Sequence, residues 1–244
     1  MPPVGVGSAS GTAPYARGMS IASKIGISLA PSVTQVAPGL TSAFVHESLD
    51  RAINGVGPLP AAALAAEKQL EEQHGDVERG IHEVIENHVR FAGAQGLLTN
   101  LGGLVTLPVT VPANIMGLTL IQCRMVAGIA HLRGYDLADM RVHNAILAAI
   151  LSEETVHGLL KKQKIPGTPM AIATAPVYDD SIDQVMASQV ATGMVTQVVG
   201  RRAVLTASKR VPLFGGLVAG TTDAYSTWRL GRYVQREFLP RRAR

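Results

Sequence analysis

Histidine and glutamate side chains one helical turn apart are the residues whose types and spacing could do acid–base or metal chemistry. In HEVIENH, His82 and Glu86 share one face of a predicted helix, whereas His88 falls well off that face. A zinc site needs at least three converging protein ligands, and this helix offers two. In SEETVHG, Glu153 precedes His157 by four residues, the ordinary spacing of helix-surface pairs. We therefore predict no metal site and no cofactor.

No catalytic signature accompanies these pairs. The sequence contains no GxSxG elbow, no phosphate-binding GxxxxGK, no dinucleotide fingerprint and no HExxH motif. On that basis we predict no catalytic residues and favour a protein that is not an enzyme. The alternative is an enzyme acting on a lipid or cell-envelope precursor, with acid–base groups from His143, Glu153, Glu154 and His157.

The composition is more apolar than that of an ordinary soluble domain. Hydrophobic residues make up 47% of the 244 residues, and the mean hydropathy is +0.21. Charged residues make up 16%, against about 25% in an average soluble domain. Part of the exterior is therefore expected to meet lipid, a partner such as a membrane protein, or another copy of the chain. The N-terminus lacks the pattern of a signal peptide, so we expect a cytoplasmic setting.

Charge is distributed unevenly along the chain, whose net charge is +4. Nine acidic and four basic residues lie between Glu47 and Arg90, whereas ten basic and two acidic residues lie between Arg201 and Arg244. The basic end could face anionic lipid, nucleic acid or the acidic segment. For anionic lipid, the predicted binding residues are Arg201, Arg202, Lys209, Arg210, Arg229 and Arg232.

Aromatic residues alternate with arginines near the C-terminus. Tyr225 and Trp228 precede Arg229, and Tyr233 follows Arg232. The pattern suits a helix docked on the core or a helix at a membrane interface, where tyrosine and tryptophan lie at headgroup level. It also resembles the aromatic and cationic surfaces that bind single-stranded nucleic acid, which is the least favoured partner.

An interval of thirty-three residues, 91–123, contains no charged side chain. Two prolines four residues apart each remove a backbone donor, which disfavours a straight span exposed to lipid. We favour a buried helical hairpin, with shallow insertion of 91–107 and 112–130 into one leaflet as the alternative. The predicted apolar seam comprises Gly102, Gly103, Pro108, Pro112 and Gly117.

Helical periodicity, capping residues and the weakness of strand signals predict an all-α chain, a compact multi-helix bundle with a Pro/Gly-rich apolar hairpin. The segments AGAQG and GLVAG place small residues four apart, a spacing that lets helix backbones approach closely. We predict a disordered tail over 1–20 and a single helical domain over 21–240. The predicted helices run from Pro60 to Gly75, from Val77 to about Gly96, from about Pro112 to Gly134, from Asp136 to about Lys162, from Ser181 to the break at Pro212, and on to about Phe238. An irregular or short helical piece is predicted around Pro108, and a loop at 164–180.

Several motifs together resemble the EcsC family of bacterial proteins. They are GVGPLPAAALA, GLLTNLGGLVTLP, IAHLRGYDLAD and the closing VPLFGGLVAGTTDAYSTWRLGRYVQREF, and they cover Ala43 to Phe238. Where the family has a tyrosine before a glycine, this chain has Arg133, while Tyr135 and Asp136 match. The resemblance implies a helical protein that is cytoplasmic or attached to the inner membrane face, and it implies no particular reaction.

The sequence therefore predicts a peripheral membrane-associated or lipid-binding helical protein at the inner membrane face. The alternatives are the enzyme described above and a structural partner of a transporter or other assembly. Convergent buried polar side chains in a closed pocket would favour the enzyme, whereas a broad exposed apolar face would favour the structural partner.

Overall fold

The computed structural model describes residues 42–100, 107–207 and 212–241, with side chains described outside 99–100, 107–114, 197–207 and 212–219. Within these residues the chain forms nine helices and no strand, which confirms the all-α prediction. The helices are α1 Ser42–Asn54, α2 Ala62–Glu72, α3 Val77–Asn100, α4 Leu107–Leu132, α5 Met140–Ile150, α6 Glu153–Lys161, α7 Pro169–Ala173, α8 Asp180–Ala207 and α9 Pro212–Glu237.

Helix α4 lies at the centre of the bundle. It contacts α1, α2, α3, α5, α8 and α9, and Ile115, Met125 and Ile129 are fully buried. Among the described residues, one stretch, Ile115–Leu132, is apolar and long enough to cross a membrane, and 61% of it is buried inside the bundle. This burial favours a core helix over a lipid-exposed span.

Arg124 is the only lysine, arginine, aspartate or glutamate in α4, and it is buried. Its guanidinium donates to the carbonyl oxygens of Ala52 at 3.3 Å and Ala61 at 3.5 Å. Ala52 belongs to the last turn of α1, where carbonyls lack helical partners and the helix dipole is negative. Burial lowers the pKa of Arg124. The one charge of the central helix is thus held by backbone oxygens inside the protein.

The prediction of an interruption between Pro108 and Pro112 was wrong, because α4 begins at Leu107 and runs through both prolines. Pro108 lies in the first helical turn, where its missing N–H would have no helical partner anyway. Pro112 removes one helical hydrogen bond near the start of the helix. Helix α3 likewise continues past Gly96 to Asn100. A glycine inside a helix costs only about 1 kcal/mol, and tertiary packing outweighs it.

The predicted single helix from Asp136 to Lys162 was also wrong. Helix α5 begins after Asp139, whose carboxylate accepts from the Arg141 N–H at 2.8 Å. At Ser152 the backbone turns to a φ of +79°, and the Ser152 hydroxyl accepts from the Thr155 N–H at 3.4 Å to start α6. Serine followed by two glutamates is a helix-start signal, so the sequence contained the evidence for this break.

Other helix ends follow the sequence signals more closely. Helix α2 begins at Ala62, two residues after the predicted start at Pro60, and Gly75 follows it with a φ of +82°. Asp76 accepts from the Arg79 N–H at 3.1 Å and so starts α3 as predicted. Helix α8 begins at Asp180 and α9 begins at Pro212, close to the predicted positions. The predicted loop at 164–180 contains the short helix α7.

Helices α3 and α9 run antiparallel and pack through glycines. A Cβ atom at Gly220 would lie 2.9 Å from the Gly93 carbonyl oxygen, and one at Gly231 would lie 2.8 Å from Cγ2 of Ile85. Neither position has room for a side chain. Gly93 and Gly220 belong to the two small-residue segments, AGAQG and GLVAG, which therefore pack against each other. This close contact fixes which face of α9 points away from α3.

The C-terminal end of α9 is held against the turn after α4. The Arg133 guanidinium, which is buried, pairs with Glu78 and donates to the Gln235 carbonyl at 3.4 Å. The same arginine lowers the pKa of Glu78. The Tyr135 hydroxyl donates to the Leu239 carbonyl at 3.1 Å. Arg133 therefore has a structural role in this chain.

We predict that Gly220→Ala destabilises the fold by up to about 2 kcal/mol. The steric cost of overpacking, about 1–3 kcal/mol, exceeds the gain of about 1 kcal/mol from replacing a helical glycine. The matched control is Gly193→Ala in α8, where a Cβ atom would have no neighbour within 4 Å. The control should gain up to about 1 kcal/mol. Urea unfolding followed by circular dichroism measures both changes, and equal stabilisation of the two variants would contradict the close α3–α9 contact.

Candidate functional site

A groove of about 1050 Å³ opens between α8 and α9, with α4 and the junction of α5 and α6 completing its lining. Its buried part is mostly apolar and includes Leu118 from α4, Val190 and Met194 from α8, and Leu230 from α9, together with the polar Thr119. Its exposed part is polar and includes glutamine, threonine, glutamate and arginine side chains from the same elements. The groove therefore has an apolar bottom and a polar, charged rim.

Helical periodicity in α9 explains why its polar face reaches the groove. Thr227, Val234 and Phe238 are fully buried in the bundle. From Tyr225 onward, exposed residues recur at spacings of one, three or four positions, which places them on one side of the helix. We name this stripe the α9 outer face; its members are Tyr225, Trp228, Arg229, Arg232 and Arg236.

Two aromatic rings on the α9 outer face are stacked and exposed. The ring centroids of Tyr225 and Trp228 are 6.1 Å apart, with an angle of 22° between the ring planes. Tyr225 is 60% exposed and Trp228 is 48% exposed. Large aromatic rings are usually buried, so this exposed pair is a binding-site signal. Trp228 is the only tryptophan in the chain.

The three arginines of the α9 outer face differ in their partners. Arg236 pairs with Glu153 at 3.3 Å across the groove. Arg232 donates to the neutral Gln235 side chain at 2.8 Å. Within the described residues, neither Arg229 nor Arg232 has a carboxylate partner. Their two positive charges are therefore available to an anionic ligand, whereas the charge of Arg236 is partly neutralised.

Two of the six predicted lipid-binding residues lie in the groove. Arg229 and Arg232 line it from α9. Arg201 and Arg202 lie in α8 at positions whose side chains are not described. Lys209 and Arg210 fall outside the described residues. The lipid-binding role of all six residues remains a prediction.

The predicted apolar seam is described only in part. Gly102 and Gly103 fall outside the described residues, while Pro108 and Pro112 lie in the first turns of α4. Gly117 packs against α3, because a Cβ atom at this position would lie 2.3 Å from the Gln95 amide nitrogen. Where it is described, the seam is a close contact between α3 and α4.

The residues of the enzyme alternative do not converge on the groove. Glu153 and Glu154 line it, and Glu153 is engaged by Arg236. His143 donates from Nε2 to the Leu137 carbonyl at 2.7 Å and is not part of the lining. His157 is exposed on α6, also outside the lining. The arrangement offers two carboxylates beside an arginine but no histidine.

The His82–Glu86 pair lies on the surface of α3. His82 and Glu86 are 3.2 Å apart and exposed or partly exposed. His88 instead donates from Nδ1 to the Val84 carbonyl at 2.7 Å, and burial lowers its pKa to about 4. In the described part of the chain, no three histidine, cysteine, aspartate or glutamate side chains are placed to hold a metal ion.

Sequence reasoning missed the α8 side of the groove. Gln189, Thr192 and Thr196 line it and lie on one face of α8. Their spacing of three and four residues is a signal for an exposed polar face. That signal does not tell which helix lies opposite, so the groove itself could not be predicted.

Comparison with known protein families, with curated proteins and with solved structures finds no match to this chain.

We predict that iodide quenches the fluorescence of Trp228 more strongly than caesium does. Arg229 and Arg232, without carboxylate partners in the described structure, should attract the anion and repel the cation. Changing both arginines to alanine should bring the two quenching constants close together. The matched control, Lys68→Ala with Arg79→Ala, removes two positive charges from α2 and α3 and should leave the iodide preference intact. Stronger quenching by caesium in the unchanged protein would contradict a positive potential at the α9 outer face.

Proposed function

We propose that this chain is a peripheral membrane protein that binds anionic lipid through the α9 outer face, without a catalytic role of its own. The proposal places it at the cytoplasmic face of the inner membrane. The resemblance of its motifs to the EcsC family supports this assignment, and we propose membership of that family on the same motifs.

The observation that carries the proposal is the exposed Tyr225–Trp228 stack beside Arg229 and Arg232. Tyrosine and tryptophan favour the interface between hydrocarbon and water. Arginines next to them can reach phosphate groups while their aliphatic stems lie over apolar surface. Each basic residue close to an anionic membrane contributes about 1 kcal/mol. The α9 outer face carries both aromatic rings and guanidinium groups on one side of the helix.

Burial of the central helix supports surface binding over membrane spanning. Helix α4 contacts six other helices, so exposing it to lipid would require much of the bundle to open. The α9 outer face needs no such rearrangement because its rings and guanidinium groups already lie at the surface. A peripheral attachment that depends on electrostatics should also be sensitive to salt, since the Debye length falls to about 3 Å at 1 M.

The test is co-sedimentation with vesicles of phosphatidylcholine alone or mixed with phosphatidylglycerol. We expect binding to the anionic vesicles only, and release at high salt. Arg229→Ala with Arg232→Ala should weaken binding roughly thirtyfold, the equivalent of two contributions of about 1 kcal/mol. Lys68→Ala with Arg79→Ala, which removes the same charge elsewhere, should weaken it much less.

Three results would contradict the proposal. They are equal binding to neutral vesicles, no binding to any vesicle, and tighter binding of single-stranded DNA than of anionic vesicles. The last result would identify the aromatic and cationic stripe as a nucleic-acid surface.

A further inference from the structure

The groove is long as well as deep. Its lining residues on α9 run from Thr222 to Arg236, a rise of roughly 21 Å at 1.5 Å per residue. Its volume of about 1050 Å³ lies at the upper end of the range for small-molecule sites, about 300–1,000 Å³. These dimensions suit one extended molecule lying between two helices.

The charges of the groove are arranged unevenly along its length. Glu153 and Glu154 come from the α5–α6 junction, and Arg236 pairs with Glu153 at that end. Leu118 lies toward the other end, one helical turn from Gln122, whose amide donates to Thr227 at 3.3 Å. Arg229 lies between these two regions. An anionic group would be held near the middle of the groove and repelled from the glutamate end.

We propose that the groove binds a single-chain anionic amphiphile such as a fatty acid or a monoacyl phospholipid. The carboxylate or phosphate pairs with Arg229 and Arg232, and the acyl chain extends toward Leu118. Buried apolar side chains of the groove include Val190, Met194 and Leu230. The inference rests on the proposed function, because it uses the same two arginines, and it specifies the ligand class of the groove.

Gly193 allows the groove to be blocked without disturbing the core. It lines the groove from α8, and a Cβ atom at this position would meet nothing within 4 Å. Gly193→Leu therefore introduces a side chain into open space and raises helix propensity. Gly158 in α6 is the matched control, since it also has nothing within 4 Å of a Cβ atom and does not line the groove.

The experiment is titration of the full chain with oleate below its aggregation concentration, followed by calorimetry and by Trp228 fluorescence. Monoolein supplies the same chain without charge, and acetate supplies the charge without the chain. We expect saturable binding of one oleate per chain with a blue shift of Trp228, weaker binding of monoolein and none of acetate. Gly193→Leu should weaken oleate binding at least tenfold, whereas Gly158→Leu should leave it unchanged.

Thr192→Phe is a second blocking variant, to be used if Gly193→Leu does not fold. Thr192 is exposed and lines the groove from α8, as Gly193 does. Oleate binding that is unaffected by every folded blocking variant would overturn the inference, as would acetate binding with the affinity of oleate. Vesicle binding separates this inference from the proposed function. If the unchanged protein binds anionic vesicles but not oleate, the proposed groove ligand is wrong and the proposed membrane attachment stands. If it binds oleate but no vesicle, the proposed membrane attachment is wrong and the proposed groove ligand stands.

Discussion

The enclosure of α4 is the constraint on which the rest of the structure depends. Its sequence is too apolar to face water, and six neighbouring helices contact it and bury 61% of Ile115–Leu132. Burying so much apolar surface is the main favourable contribution to folding. It also determines where charge can go. Arg124, the one charged residue of the helix, is accommodated by carbonyl oxygens at the end of α1 and the start of α2.

The same constraint determines what the exterior can offer. Helix α3 packs against both α4 and α9, and glycines bring it into close contact with α9. Once that side of α9 is buried, the remaining side must carry its tyrosine, tryptophan and arginine residues outward. The groove beside α8 follows from the same packing, because its apolar bottom is formed by residues of α4, α8 and α9 that also belong to the core. Site and core are therefore built from the same helices.

Much of the fold could be predicted from the sequence because helical periodicity and capping are local. Asp76 and Gly75 marked helix ends correctly, and Ser152 marked one that was overlooked. Pro108 misled because a proline in the first turn of a helix costs much less than one in its interior. Pro112 misled because tertiary packing outweighs the one helical hydrogen bond that it removes. Contacts between side chains on different helices could not be predicted. The sequence grouped ten basic residues at the C-terminus, but it could not show that Arg236 has a glutamate partner while Arg229 has none in the described structure.

The central claim is that lipid is met by the α9 outer face while α4 stays inside the protein. The most direct measurement is quenching of Trp228 by anionic vesicles whose acyl chains carry bromine at a shallow or a deep position. Because Trp228 is the only tryptophan, the signal reports on this one position of α9. The account predicts strong quenching by shallow bromines and little by deep ones, with full recovery after release by salt. Emission unchanged in vesicle-bound protein would contradict it, because lipid would then be bound by another surface.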